Sequence, residues 1–176
     1  MSTIFHSPGF KRSLKILSWI PVIIAFNDNV SYIARIKGPS MRPSLNPNDN
    51  ELSTDWVLLW KWGCTQSYNL KRNDIVLIKS PSDPHKIYCK RIKGVQFDTI
   101  KTLHPYPKET VLVPRNHIWV EGDNVTQSVD SNNFGAVATG MIVGKVVKVI
   151  WPPTRWGTNL NETVGRHDAL SLATRQ

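Results

Sequence analysis

From residue 36 onward the chain holds no long amphipathic period, and that limits it to few architectures. It is cut instead into short apolar-rich runs at residues 56–60, 75–78, 87–92, 111–113, 118–120 and 142–150. The runs are rich in Val, Ile, Trp and Tyr, which suit a pleated, half-buried surface. Asn-Asp, Pro-Ser, Pro-Arg-Asn and Gly close them, as turn formers close strands. Many short strands without an amphipathic helix predict an all-β domain. Pro152-Pro153 ends the last strand, and the polar, weakly patterned residues 156–176 predict a peripheral tail.

The segment before residue 36 is different. Residues 1–12 are short and polar and end in Lys11 and Arg12; an apolar run follows at residues 16–26. A spanning helix needs about 20 apolar residues. The run therefore predicts a tilted or short membrane anchor that draws on Lys15, Trp19 and the weakly apolar stretch through Ile33. No small-x-small cleavage site follows, because Asn27-Asp28-Asn29 comes directly after. A core helix of a soluble domain is the alternative on the same length rule. The expected organisation is a basic segment and anchor at 1–35, a β domain at 36–155 and a tail at 156–176.

Charge narrows the partners. Lys and Arg outnumber Asp and Glu by 22 to 13, a formal net charge of +9, which suits nucleic acid or an anionic membrane surface. No basic run interleaved with aromatics and no zinc-finger spacing supports nucleic acid. Two distant cysteines, Cys64 and Cys89, make neither a disulfide framework nor a metal cluster. Two plain thiols or one bridge both fit.

Three constellations carry chemistry. In Gly38-Pro39-Ser40-Met41-Arg42-Pro43-Ser44-Leu45, two prolines stiffen a serine-bearing loop and Gly38 permits close backbone approach. Alone this is a Pro-rich turn, since a serine needs a base before it becomes a nucleophile. In Lys86-Ile87-Tyr88-Cys89-Lys90-Arg91-Ile92, strand alternation sets Tyr88, Lys90 and Ile92 on one face. Lys90 is expected among apolar neighbours, with Arg91 and Lys93 on the wetter face. Desolvation lowers a lysine's pKa, as a neutral general base requires; a lysine snorkelling from a β edge is the plainer reading. The third constellation runs from Glu121-Gly122-Asp123-Asn124 through Ser128-Val129-Asp130-Ser131-Asn132-Asn133 to Phe134-Gly135. Its short hydrogen-bonding side chains either brace a site or cap turns.

In this order, with the Asn73-Asp74-Ile75-Val76 strand between the first two, these segments resemble the type I signal peptidase family over about residues 37–153. The resemblance implies coiled antiparallel sheets around an open apolar groove, with no metal or cofactor. It implies Ser40 as nucleophile and Lys90 as general base, a Ser–Lys version of acyl transfer. Ser128 would orient the lysine amine, Asp123, Asp130 and Arg91 would support the site, and the Ser40 backbone N–H would be one oxyanion donor. Two departures stand out. Some members have a serine where this chain has Gly38, which leaves the second oxyanion donor unassigned. An arginine often follows Asp130-Ser131, and here Asn132 takes its place.

Within the family, Thr54-Asp55-Trp56-Val57-Leu58-Leu59-Trp60, Tyr88-Cys89-Lys90-Arg91, His117-Ile118-Trp119-Val120-Glu121-Gly122-Asp123-Asn124 and Val149-Ile150-Trp151-Pro152-Pro153 look like its fungal mitochondrial members. That likeness implies an inner-membrane protein with one anchor, a catalytic domain in the intermembrane space and a homologous partner subunit. Its substrates would be precursor proteins with sorting signals, cut after a small residue.

Three other readings compete. A self-cleaving repressor uses a similar Ser–Lys pair, yet residues 1–36 offer no helix-turn-helix pattern. A non-catalytic partner of a homologous protease subunit would be free to lose Ser40 and Lys90, and both are intact. A basic β protein that only binds anionic lipid predicts full function after Ser40→Ala. Tethering favours work at a membrane, since the 14 residue steps from Phe26 to Ser40 reach at most about 45–50 Å.

Overall fold

The computed structural model describes residues 8–48, 54–161, 165, 166 and 169. Helix α1 (Pro8–Asn29) leads into β1 (Ser31–Arg35), β2 (Trp56–Trp60), β3 (Ile75–Lys79), β4 (Ile87–Gly94), β5 (Thr99–Lys101), β6 (Thr110–Leu112) and β7 (His117–Glu121). The short helix α2 (Ser131–Phe134), β8 (Val137–Ala138) and β9 (Ile142–Trp151) follow. The protein is mostly β. Seven strands form one antiparallel sheet in the order β1-β2-β9-β3-β4-β7-β8, and β5 pairs with β6 alone.

The apolar run of β3 has a direct cause in this order. The strand lies between β9 and β4, and its alternate side chains enter two different cores. Ile75 and Leu77 face one, with Met41, Leu45 and Leu59; Val76 and Ile78 face the other, with Ile92 and Ile118. A strand covered on both faces reads as continuous rather than alternating. Each such side chain contributes about 1.5–3 kcal/mol on burial. The register Val76↔Lys90 and Leu77↔Cys89 then sets Lys90 beside the second core and Cys89 beside the first. Both cysteines are free thiols, which removes the bridge.

Three expectations change. The stretch through Ile33 belongs to the sheet: β1 pairs with β2 through Ser31↔Trp60, Ile33↔Leu58 and Arg35↔Trp56. The helix stops one turn earlier than an anchor reaching Ile33 would require. Nor is any helix among the described residues long and apolar enough to cross a membrane. Helix α1 has 22 residues, but its apolar run at residues 16–26, broken by Ser18, rises only about 16 Å, half a bilayer core. That run is exposed around its whole circumference, from Ile16 (71%) to Phe26 (54%).

The tail is the third correction. Leu160 is 8% exposed within the first core and Ala169 is 3% exposed. The N–H of Lys101 donates to the Ala169 carbonyl at 2.8 Å. Residues 1–7 of the basic segment, and residues 162–164, 167, 168 and 170–176 of the tail, lie outside the described residues.

Candidate active site

The loop that carries Ser40 is a tight turn fixed at several points. Arg42 N–H donates to the Pro39 carbonyl (3.1 Å) and Leu45 N–H to the Met41 carbonyl (2.9 Å). Met41 (1% exposed) and Leu45 (0%) plug the turn into the first core. Gly38 opens it at φ +92°, a region open to glycine and strained for a side chain. The backbone N–H of Asn124 donates to the Ser40 carbonyl (3.0 Å), and its side-chain amide to the Pro39 carbonyl (3.3 Å). Ser40 itself is half-buried.

Lys90 is 2% exposed. Its Nζ donates to Ser128 Oγ at 3.0 Å and stands 5.7 Å from the centre of the Tyr88 ring. Ser128 Oγ donates in turn to Asp130 Oδ2 at 2.8 Å. A hydroxyl has one proton, so Ser128 spends it on Asp130 and can only accept from Lys90. Burial pushes the Lys90 amine below its ordinary 10.5; the charges of Asp130, then of Cys89 and Asp123, work the other way.

Asp130 gathers further donors: the Gly122 N–H (3.1 Å), the Asn132 N–H (3.1 Å) and the Asn132 side-chain amide (3.0 Å). Asn132 thus replaces the expected arginine with two neutral hydrogen bonds. Asp130 also caps α2, accepting from its first turn while Asn133 reaches back to the Asp130 N–H.

The wet-face reading of Arg91 is wrong. Its side chain is 0% exposed and pairs with Asp123, also 0%, through Nε–Oδ1 at 2.8 Å and Nη2–Oδ2 at 2.7 Å. The same guanidinium donates to the Asn73 and Leu160 carbonyls and to Ser44 Oγ. Both faces of β4 are covered, so alternation sorted Lys90 from Arg91 without making either side wet. Bidentate pairing with additional acceptors is what makes such a buried charge tolerable. Lys93, set on the same side, is also buried at 5%.

Gly122 is the junction. A Cβ added there would lie 2.3 Å from Ser128 Oγ, 2.6 Å from Ser128 Cβ and 2.6 Å from the Ser40 carbonyl oxygen. The Ser40 loop and the Ser128–Lys90 pair therefore press on one point from two sides. A cleft of about 390 Å³ is lined by Tyr32, Ala34, Arg35, Ile36, Lys37, Leu77, Ile87 and Cys89. It lies along β1, the free edge of the sheet. Burial pushes the Cys89 thiol up to about 12, which keeps it protonated and unreactive beside Lys90.

The structure thus brings Ser128, Asp130 and Lys90 into one hydrogen-bonded chain and sets Asp123 on Arg91. Sequence reasoning assigned no role to Gly122 or Asn124, although both stand in the quoted Gly122-Asp123-Asn124 motif. It also missed Asp55, Asn46 and Arg155, for which the sequence offers no local signal.

The signal peptidase, peptidase S26 family matches residues 11–105 and 99–151, which include Ser40, Lys90, Arg91, Gly122, Asp123, Ser128 and Asp130. The chain belongs to that family. Among its relatives, mitochondrial inner membrane protease subunit 2 of Saccharomyces cerevisiae is 53% identical, over 95% of this chain and 96% of the relative. The protein of that name in Schizosaccharomyces pombe is 42% identical, over 87% and 83%. Human mitochondrial inner membrane protease subunit 1 is 35% identical, over 73% and 74%. Membership of a signal peptidase family makes the chain a protease subunit.

Proposed function

We propose that this chain is a serine endopeptidase in which Ser40 is the nucleophile and Lys90 the general base. The observation that carries the reading is the buried Lys90 amine, held by Ser128 at the point where the Ser40 loop packs against Gly122. Because Ser128 takes one amine proton and is itself locked to Asp130, the neutral amine keeps its lone pair free for Ser40. Lys90 accepts the Ser40 proton as Oγ bonds to the scissile carbonyl carbon, and then returns that proton to the leaving amine. Water, deprotonated by the same amine, releases the acyl group. The Ser40 backbone N–H stabilises the oxyanion. Asp130 and Asp123 hold Ser128 and Arg91 in place and do not take the proton.

The substrate runs extended along the β1 edge, whose unpaired backbone groups accept one more strand, with its apolar side chains in the adjoining cleft. The names of the relatives support a place in the mitochondrial inner membrane beside a homologous subunit 1, and the proposal puts the catalytic domain on the intermembrane-space side. There it removes sorting peptides from precursor proteins. Helix α1, through its exposed apolar run at residues 16–26, holds the domain at the membrane.

Cleavage of an anchored precursor by the detergent-solubilised complex tests this. Ser40→Ala and Lys90→Arg are expected to assemble and to lose cleavage, because arginine keeps the charge but cannot act as base. Near-wild-type cleavage by either variant assigns catalysis elsewhere and leaves this chain a structural partner.

A further inference from the structure

The family match ends at residue 151, yet the segment beyond it reaches both halves of the site. Arg155 turns back across the Ser40 loop. Its Nη2 donates to the Ser44 carbonyl at 2.6 Å, and its Nε stands 3.1 Å from Asp55 Oδ1. Asp55 is 0% exposed and is knotted to the end of the same loop: Asn46 N–H donates to Asp55 Oδ2 (2.9 Å) and Asp55 N–H to Asn46 Oδ1 (2.7 Å). Leu160 then packs in one core with Met41 and Leu45, and its carbonyl accepts from Arg91 at 2.7 Å. Gly165 lies so close to Asp123 that a Cβ on it would be 3.2 Å from the Asp123 Cα. Arg166 pairs with buried Glu121 at 2.5 Å.

We propose that Arg155 is a positioning residue that sets the Ser40 loop against Lys90, with residues 152–161 as the strap that carries it. This rests on the Ser40–Lys90 reading. Asn124 holds the loop at Pro39 and Ser40; Arg155 holds it at Ser44 and, through Asp55, at Asn46. The stretch between is a single hydrogen-bonded turn with two side chains sunk in the core, so a shift at Ser44 moves Ser40. Its planar guanidinium does both at once, Nη2 donating to the Ser44 carbonyl while Nε stands against the Asp55 carboxylate as an ion pair. A lysine's ammonium is a compact charge on a flexible stem without that planar fork, so it fixes the carboxylate and the carbonyl relative to each other less firmly.

The test uses the full chain in detergent, with its partner subunit, and an internally quenched peptide with a small residue at the scissile bond. The expected result for Arg155→Gln is a kcat lower by about 10–100-fold per folded molecule, since displacements near 1 Å cost that order. KM stays within about twofold and the pH midpoint of kcat/KM is unchanged, because Arg155 touches neither cleft nor Lys90. Arg155→Lys recovers part of kcat. A loss that follows only the unfolded fraction, with kcat per folded molecule unchanged, overturns the proposal and makes the strap a structural clasp. Should Arg155→Gln fail to fold, Arg155→Lys carries the test alone: a lower kcat at an unchanged melting temperature supports positioning, and wild-type kcat refutes it. Ser40→Ala runs alongside. If it is inactive while Arg155→Gln keeps full kcat, the dyad stands and the strap idea fails; if Ser40→Ala cleaves normally, both fail.

Discussion

Gly122→Ala isolates the packing on which the dyad depends. Gly122 lies outside the left-handed region, so alanine suits its backbone and the added methyl is the whole perturbation. That methyl would meet Ser128 Oγ at 2.3 Å, and Ser128 Cβ and the Ser40 carbonyl at 2.6 Å each. Comfortable contact needs about 3.5 Å, so the neighbours must separate by roughly 1 Å. Turning the Ser128 hydroxyl does not help, because Ser128 Cβ collides as well. Neither side yields cheaply: Ser128 is tied to Asp130 and Lys90, and the Ser40 carbonyl to Asn124.

The expected loss is about 100-fold in kcat, the usual cost of a 1 Å misplacement, with about 1–3 kcal/mol of stability from overpacking. Steady-state cleavage of the quenched peptide gives the first number and denaturant unfolding the second. Gly140→Ala is the control: nothing lies within 4 Å of its Cβ, so the same chemical change leaves both quantities at wild type. If folded Gly122→Ala cleaves within about threefold of wild type, close approach of Ser40 to the Ser128–Lys90 pair is not needed and the proposed geometry is wrong.

Three further outcomes follow from the same site. Cleavage rises with pH on a limb whose midpoint lies below lysine's ordinary 10.5, and Asp130→Asn moves that midpoint lower still, because Asp130 is the largest charge opposing the effect of burial; an unmoved or higher midpoint in a pH–rate series removes Lys90 as the titrating base. Lys90→Met abolishes cleavage yet unfolds at no lower denaturant concentration at neutral pH: the native amine titrates below its unfolded value, the unfolded chain binds more protons in that window, and wild-type stability therefore rises with pH from the lowered value to 10.5, a slope the variant lacks. Cys89 is half-buried in the wall of the cleft, yet it labels slowly with iodoacetamide at pH 8 in the folded chain, as a thiol pushed up to about 12 must, and rapid labelling without unfolding contradicts that shift.

The strands that were legible in the sequence are those whose burial leaves a pattern. The runs at 75–78 and 118–120 fall inside β3 and β7, because a covered strand must be apolar whatever its partners are, and the run at 56–60 is β2, whose Val57 and Leu59 are buried. β1 escaped notice because Ser31-Tyr32-Ile33-Ala34-Arg35 is half-exposed edge strand joined directly to a helix, and its apolar residues read as a continuation of the run before it. Lys90 was legible because alternation placed it beside Tyr88 and Ile92. Arg91 was misread by the same rule: alternation gives the side on which a residue lies, not whether that side meets water. What covers Arg91 is Asp123, Ser44 and the Leu160 carbonyl, and the last comes from 69 residues away.

That distance explains why the strap left no trace in the sequence. A side-chain pattern records contacts made by side chains, but Leu160 meets Arg91 with its carbonyl and Gly165 meets Asp123 with a missing Cβ. Neither contact selects for period or polarity, so the segment reads as an unpatterned tail. Arg155 is the one member whose identity matters chemically, and it stands alone among exposed neighbours, Thr154, Trp156 and Gly157. Its partner Asp55 sits just before β2, where an acid ahead of a strand reads as a turn residue. Yet an aspartate at 0% exposure has to be satisfied. The Asn46 N–H donates to one carboxylate oxygen and a cation arriving from the far end of the chain stands 3.1 Å from the other, and the loop they close is the one that presents Ser40.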